Sequence, residues 1–167
     1  MHGIIIFGSA RSEGNTRKVA EQIVRMKDSL DLVDLNDHEI SYYDYAHANA
    51  GDDFIPLVER IVDYDLILFV TPVYWYSMSA IMKTFFDRIS DLLTIRKDLG
   101  RQLRGKSMGS VSCGSEGSLD KEFYYPFQET AKYLGMNYTG HIHAWVQNNE
   151  VPEEAVERIK EYLKFRD

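Results

Sequence analysis

Short apolar runs alternate along the chain with segments in which apolar residues recur every three or four positions. The first pattern is typical of buried strands and the second of amphipathic helices. Strands are predicted at residues 3–7, 31–35, 66–70, 106–113 and 138–146. Helices are predicted at 16–26, after Asp52-Asp53, at 79–92, within 119–134, and from Pro152 onward. Five strands that each precede a helix predict an α/β fold, a parallel sheet with helices on both faces.

The helix predicted at 79–92 has an apolar stripe wider than one sheet face requires. Its members are Met78, Ile81, Met82, Phe85, Phe86, Ile89, Leu92 and Leu93. The surplus could bury against another subunit, which predicts a homodimer or homotetramer. Arg88, Asp87 and Lys83 on the same helix are predicted to be surface or interface residues.

Length and composition narrow the class of protein. A chain of 167 residues with 44% hydrophobic content suits a single folded domain over 1–167. Cys113 is the only cysteine, so an internal disulfide and a cysteine metal cage are excluded. No apolar run approaches the roughly 20 residues that span a bilayer. A net charge of −7 argues against nucleic acid as a partner. We therefore expect a cytoplasmic protein with no membrane or nucleic-acid partner.

The segment 8–16 (GSARSEGNT) lies between the first strand and the first helix. A helix N-terminus with glycines, hydroxyls and an arginine before it suits a phosphate group. The segment lacks the Gly-Lys-Ser/Thr ending of a nucleoside-triphosphate loop. It also has Ala10 where a dinucleotide fingerprint needs glycine. A single terminal phosphate, as in a mononucleotide, is the ligand that remains; the alternative is a polar connection without a ligand.

Two further segments follow strands three and four. Residues 71–77 (TPVYWYS) carry three consecutive aromatics, and residues 112–118 (SCGSEGS) carry glycines and small hydroxyls. Because ligands bind beyond the carboxyl ends of parallel strands, we expect these segments and 8–16 to face one crevice. The aromatics would wall a flat heterocycle, and the backbone N–H groups of 114–118 would meet developing negative charge. The alternatives are rings that plug the core or an interface, and a plain flexible turn.

With these segments in place, the chain resembles the NADPH-dependent FMN reductase and iron–sulfur flavoprotein group of the flavodoxin-like superfamily. The matching pieces are residues 8–16, residues 71–80, and Lys83, Phe86, Asp87 and Arg88. The resemblance implies a flavodoxin-like three-layer sandwich with a five-stranded parallel sheet in the order 2-1-3-4-5, and bound FMN. One departure is clear: residues 42–50 contain no cysteine where the iron–sulfur members carry a cluster.

By this resemblance, three groups of residues bind the cofactor. Ser9, Arg11, Ser12, Gly14, Asn15 and Thr16 would hold the phosphate. Pro72, Val73, Tyr74, Trp75, Tyr76 and Ser77 would line the isoalloxazine, and Cys113, Gly114 and Ser115 would meet its pyrimidine side.

Other chemistry-bearing residues have plainer interpretations. Cys113 could be a reactive thiol, but a buried small residue at a strand end fits better. His141 and His143 share a strand face, yet two histidines without a third ligand do not predict a metal site. His47 could reach over the crevice from the segment 36–51.

The hypothesis is an FMN-dependent oxidoreductase that passes hydride from NAD(P)H to a small acceptor. A quinone, a nitro or azo compound, free flavin or a metal ion would take the electrons. No side chain is nominated as catalytic, because the flavin carries the chemistry. The alternatives are a flavodoxin-like electron carrier without turnover and a sensor that keeps the fold.

Overall fold

The central layer is a parallel five-stranded sheet, seen in a computed structural model that describes residues 2–164. Its strands are β1 (Gly3–Phe7), β2 (Leu30–Asp34), β3 (Leu66–Pro72), β4 (Ser107–Gly114) and β5 (Asn137–Trp145). They lie in the order β2-β1-β3-β4-β5, and every neighbouring pair is parallel. This is the flavodoxin-like order, so the predicted fold class and all five strands are confirmed.

Helices cover both faces of the sheet. They are α1 (Asn15–Met26), α2 (Phe54–Ile61), α3 (Ala80–Arg88), α4 (Asp91–Thr94), α5 (Lys97–Gln102), α6 (Tyr125–Leu134) and α7 (Glu153–Lys164). One apolar core packs α1 and α7 against the sheet, and a second packs α2 to α6 against its other face. None of the helices within residues 2–164 is both long and apolar enough to cross a bilayer.

The strands at the middle of the sheet are buried along their whole length. Every residue of β1 and β3 is buried, which explains their uninterrupted apolar sequences. β4 is also buried but uses small residues, because neighbouring side chains fill the space. A Cβ added at Gly109 would lie 2.1 Å from the hydroxyl oxygen of Tyr162. The weak apolar pattern of β4 therefore reflects close packing and not exposure.

The helix predicted at 79–92 is split in the structure. α3 ends at Arg88, α4 begins at Asp91, and α5 was not predicted at all. The split follows from Arg88, which is only 1% exposed. Its Nε donates to Asp91 at 2.8 Å, and its two terminal nitrogens donate to the Asp52 carboxylate. The prediction that Arg88 is a surface or interface residue is therefore wrong.

Arg88 also fixes the irregular segment between β2 and α2. It donates to the carbonyl oxygens of Ser41 at 3.0 Å and Asn49 at 3.1 Å. His47 contacts the other oxygen of Asp91 at 2.9 Å, so it faces this charged cluster. Burial alone would raise the pKa of Asp52, but hydrogen bonds from Arg88 and two backbone N–H groups lower it overall. We call Arg88, Asp52 and Asp91 the arginine cluster.

Candidate functional site

Three loops emerge side by side at the carboxyl edge of the sheet. Phe7 is in register with Val70, and Pro72 with Cys113, so β1, β3 and β4 end at neighbouring points. The Gly8 N–H donates to the Val70 carbonyl at 2.9 Å, and the Val73 N–H donates to the Cys113 carbonyl at 2.9 Å. We name the loops after their residues: the 8–16 loop, the 73–78 loop and the 114–119 loop.

The 8–16 loop presents a row of free backbone donors. Within residues 2–164, none of the backbone N–H groups of residues 9–16 donates to a protein acceptor. α1 begins at Asn15, so the positive end of its dipole lies at the same place. Arg11 folds back over Gly14, where an added Cβ would lie 2.9 Å from the Arg11 Nε. This concentration of donors and positive charge suits an anion with several oxygens.

Two side chains, the buried Ser79 and the exposed Asn36, hold the 8–16 loop in place. The Ser79 hydroxyl donates to the Gly8 carbonyl at 2.7 Å and accepts the Met82 N–H as the cap of α3. Asn36 donates to the Ser9 carbonyl at 2.9 Å. Sequence reasoning missed both anchors. A hydroxyl directly before the apolar stripe of α3 is a helix-cap signal that could have identified Ser79.

The 73–78 loop is a tight turn with two aromatic residues at its tip. Tyr74 and Ser77 exchange backbone hydrogen bonds of 2.9 and 3.0 Å. Trp75 and Tyr76 between them have positive φ values of 49° and 63°. Bulky residues rarely adopt this conformation, which costs of order 1–3 kcal/mol at each residue. Trp75 is 93% exposed and Tyr76 81%, so these rings do not plug the core.

A cleft of ≈ 400 Å³ separates the aromatic tip from the 114–119 loop. It is lined by Val73, Trp75, Tyr76, Gly114, Ser115, Glu116, Ser118, Leu119 and His143. The backbone N–H groups of residues 115–119 donate to no acceptor within the described chain. The cleft thus offers flat aromatic surface on one side and free N–H donors on the other.

The predicted site residues fall into two groups: one lies around this cleft, and the other lies in the 8–16 loop, where Ser12 and Gly14 line a separate cleft. Val73, Trp75, Tyr76, Gly114 and Ser115 line the cleft beside the aromatic tip directly, whereas Tyr74 and Ser77 form the base of the turn. Pro72 and Cys113 are buried strand residues behind the cleft. Ser9 and Thr16 are buried in the 8–16 loop, Ser12 and Gly14 are half-buried, and Arg11 and Asn15 are exposed.

Cys113 does not behave as a reactive thiol. It is 4% exposed, and burial raises its pKa to about 11, while a hydrogen bond with Thr16 lowers it slightly. At neutral pH the sulfur is therefore a protonated thiol, which is a poor nucleophile. The expectation of a buried small residue at a strand end fits this environment.

His143 is a wall residue of the cleft, although in the sequence it was considered only as a metal ligand. Its Nδ1 lies 2.7 Å from the Ser112 hydroxyl, and its Nε2 lies 2.8 Å from the Glu116 carbonyl oxygen. Burial lowers the pKa of His143, and the positive charge of Arg158 lowers it further. A histidine two residues before the end of β5 is at the ligand edge of the sheet, and that position was the available signal.

Comparison with known proteins identifies relatives of this chain. YwqN of Bacillus subtilis (strain 168), whose name describes an NAD(P)H-dependent FMN-containing oxidoreductase, is 30% identical over 148 residues, 83% of this chain and 81% of its own. The FMN-dependent NADPH-azoreductase of Staphylococcus haemolyticus (strain JCSC1435) is 30% identical over 121 residues, 67% of this chain and 63% of its own.

A solved structure has the same fold over its whole length. The Trp repressor binding protein from Bacillus subtilis superposes with a TM-score of 0.76 at 22% identity, covering 98% of this chain and 99% of its own. Residues 1–150 match the model of the NADPH-dependent FMN reductase family. The chain therefore belongs to the NADPH-dependent FMN reductases, a family of FMN-containing NAD(P)H oxidoreductases.

Proposed function

We propose that this chain binds FMN with its phosphate in the 8–16 loop. The observation that carries the proposal is the row of unpartnered N–H groups at residues 9–16, which a phosphate would satisfy. The residues proposed to contribute are Ser9, Arg11, Ser12, Gly14, Asn15 and Thr16. Arg11 adds a charge-assisted hydrogen bond, which is about twice as strong as a neutral one.

The cleft is proposed to hold the flavin ring. Val73, Trp75 and Tyr76 would contact the ring from the side of the 73–78 loop, with Pro72, Tyr74 and Ser77 supporting that wall. Gly114 and Ser115, backed by Cys113, would place N–H donors at its pyrimidine edge. Bound FMN supplies two-electron hydride chemistry. The residues of the chain position the ring, exclude water from one face and leave the other open to the nicotinamide of NAD(P)H.

The acceptor is proposed to be a small planar compound. Trp75 and Tyr76 present two exposed rings beside the cleft, and such surfaces pack well against flat aromatic molecules. The name of the Staphylococcus haemolyticus relative supports an azo compound, and a quinone or nitro compound has the same planar shape. Free flavin and metal ions are the remaining candidates. The family match favours turnover over the electron-carrier alternative.

A titration of purified apoprotein tests the phosphate loop. Arg11→Ala is expected to weaken FMN affinity by about 10- to 100-fold, since a hydrogen bond to a charged group contributes about 1.5–3 kcal/mol. Quenching of FMN fluorescence measures the affinity. Arg25→Ala is the matched control, because Arg25 lies exposed at the far end of α1. Unchanged affinity in Arg11→Ala would remove Arg11 from the site.

Steady-state assays test the choice of acceptor. Absorbance at the NADPH band is followed with FMN-loaded enzyme and a quinone, a nitroarene or an azo dye. Planar acceptors should be reduced faster than ferric complexes. NADPH consumption that never exceeds the rate without enzyme would favour the carrier alternative.

The protein is proposed to be cytoplasmic, because NAD(P)H is regenerated in the cytoplasm.

The protein is also proposed to associate with a second copy of itself, as a homodimer or homotetramer. A cleft of ≈ 360 Å³ lies between α3 and α6 and includes Met78, Phe86, Leu93 and Tyr133. Leu93 is 39% exposed at this cleft, consistent with the surplus apolar stripe of the sequence. Sedimentation analysis of the purified protein distinguishes a dimer or tetramer from a monomer.

A further inference from the structure

A chain of four hydrogen bonds runs from the cleft into the protein. The His143 Nε2 contacts the Glu116 carbonyl, and its Nδ1 contacts the Ser112 hydroxyl. The Ser112 hydroxyl contacts the Tyr124 hydroxyl at 2.5 Å, and the Tyr124 hydroxyl lies 2.9 Å from the Ile142 carbonyl. Ser112 and Tyr124 are both buried, so no bulk water competes for these groups.

The direction of each bond depends on the protonation of His143. A carbonyl only accepts, so the Nε2 carries hydrogen in either state. With a neutral ring, the Ser112 hydroxyl must donate to the Nδ1, and the Tyr124 hydroxyl donates to Ser112. Tyr124 has only one hydrogen, so its contact with the Ile142 carbonyl is then unfilled. The neutral ring therefore satisfies three of the four contacts.

Protonation of His143 reverses the direction of the hydrogen bonds among His143, Ser112 and Tyr124. The Nδ1–H then donates to Ser112, the Ser112 hydroxyl donates to Tyr124, and the Tyr124 hydroxyl is free to donate to the Ile142 carbonyl. All four contacts are satisfied only in this state. The hydrogen-bond chain therefore favours the imidazolium, whereas burial and the positive charge of Arg158 oppose it by lowering the pKa of His143.

The charged groups around His143 leave it without a carboxylate partner in the structure. On α7, Arg158 donates to the Gly117 carbonyl at 2.8 Å and pairs with Glu154, and Glu161 lines the adjoining surface cleft. On the other side lies Glu116, which contacts His143 through its backbone oxygen. His141 stacks on Tyr124 at 3.8 Å between ring centres. Lys121 lies near His141, whose pKa is lowered mainly by burial and further by that lysine.

We propose that His143 is the redox-linked proton site of this enzyme, with Ser112 and Tyr124 as the residues that position its second proton. This inference rests on the proposed function of the cleft. A hydride brings two electrons and one proton, so its arrival leaves one net negative charge in the cleft. A proton taken up by His143, whose contact with the Glu116 carbonyl is exposed, compensates that charge and leaves hydrogen on both ring nitrogens. When the hydride leaves for a quinone, the same proton is released to complete the quinol, so that NAD(P)H, H⁺ and quinone yield NAD(P)⁺ and quinol.

Nitrogen NMR of histidine-labelled protein tests the proposal, with His143→Gln used to assign the signal. In the FMN-loaded enzyme at pH 7.5, His143 should be neutral before reduction and doubly protonated after anaerobic NADPH addition. His141, two residues away on the same strand, is the internal control and should not change. A neutral His143 in both states, or an equal response of His141, would overturn the proposal.

A second measurement tests the hydrogen-bond chain without cofactor. In Tyr124→Phe the Ser112 hydroxyl has no acceptor when His143 is protonated, whereas the neutral arrangement survives. The pKa of His143 should therefore fall by about one unit in the ligand-free protein. An unchanged or raised pKa would contradict the chain reversal even if FMN binds as proposed. Weak FMN binding with the expected pKa shift would instead count against the proposed function alone.

The potential of the bound cofactor gives a third readout. Uptake of one proton per two electrons changes the midpoint potential by about 30 mV per pH unit. His143→Gln should lose that contribution between pH 6 and 8, and His141→Gln should keep it. Identical pH slopes in wild type and His143→Gln would show that the compensating proton binds elsewhere.

Discussion

Arg88 is the residue whose surroundings differ most from its sequence pattern. It occupies a helix position next to Lys83 and Asp87, which form an exposed ion pair at 2.6 Å. Nothing local distinguishes Arg88 from such a surface residue. Its burial depends on Asp52, which lies 36 positions away in the chain, and on a cation–π contact with Phe54 at 4.9 Å. Contacts between distant segments of this kind are outside the reach of a periodicity argument.

Arg88→Met is expected to destabilise the protein by about 3–5 kcal/mol, because the buried Asp91 and the half-buried Asp52 lose the positive charge that pairs with both of them. Urea unfolding measures the loss. Lys83→Met is the matched control on the same helix and should change the free energy of unfolding by less than about 1 kcal/mol, since its ion pair is exposed. Equal losses in the two variants would show that the arginine cluster contributes no more than a surface pair.

The pH dependence of that loss follows from Asp52. In the native protein its pKa is below the ordinary value of 3.8, so the unfolded chain binds more protons in the interval between the two. The stability that Asp52 contributes is present above that ordinary value and is lost as the pH falls through the folded pKa. Without Arg88, Asp52 loses the largest cause that lowers its pKa, so its pKa rises relative to wild type and protonation relieves the unpaired charge at a higher pH.

The difference in unfolding free energy between wild type and Arg88→Met should therefore shrink as the pH is lowered from 7 to 4. Urea titrations at several pH values measure it. A difference that stays constant over this range would mean that the buried carboxylates are not the source of the loss.

Among the elements, β1 and β3 were readable because every residue in them is buried, and a fully buried strand favours an unbroken apolar run. The strands β2, β4 and β5 have weaker patterns and were located by their place between predicted helices. The end of the third helix was not predicted correctly, because the apolar stripe of the sequence continues through the break at residues 89–90. α5 was missed since its sequence, KDLGRQ, buries only Leu99. The hydrophobic pattern therefore located the strands of the sheet and the helices that cover it. It failed at residues 89–102, where the chain changes direction next to the arginine cluster.

The 73–78 loop exposes two aromatic rings at the cost of an unfavourable backbone conformation. Asn-Gly suits a turn with two positive φ values far better than Trp75 and Tyr76 do. The double variant Trp75→Asn/Tyr76→Gly should raise the free energy of unfolding by about 1–2 kcal/mol. It should also lower kcat/KM for planar acceptors, because the cleft loses its aromatic wall.

Urea unfolding and steady-state kinetics on the same preparation check both effects. Tyr125→Gln is the control, since Tyr125 is an exposed aromatic residue at the start of α6 with ordinary helical backbone. A double variant that gains no stability would contradict the strain, and one that keeps full kcat/KM would remove the aromatic tip from the acceptor site.

At the scale of the molecule, the parallel sheet converts distant segments into one site. The 8–16, 73–78 and 114–119 loops are brought together because β1, β3 and β4 are neighbours in the sheet. The order of elements along the sequence was enough to predict that the three loops share one edge of the sheet, whereas the cleft between the second and third loops does not include the 8–16 loop. The anchoring roles of Ser79 and Asn36 and the place of His143 in the cleft wall were not predicted, because each depends on a contact that exists only after the sheet has formed.

Ligand binding to this assembled edge should be visible as stabilisation of the whole protein. A ligand at 100 times its Kd adds about 2.7 kcal/mol to the free energy of unfolding. For a chain of this size that raises Tm by about 5–11 °C. FMN should produce such a shift, whereas riboflavin at the same concentration should produce much less, because it has no phosphate for the N–H groups of residues 9–16.

Arg11→Ala should reduce the shift caused by FMN and leave the small shift caused by riboflavin unchanged, since that variant alters only the phosphate end. Differential scanning fluorimetry of the apoprotein, read from tryptophan emission, compares the four conditions. Equal shifts for FMN and riboflavin in the wild type would mean that the free donors of the 8–16 loop do not bind the phosphate. Equal losses for both ligands in Arg11→Ala would mean that Arg11 supports the cleft as a whole.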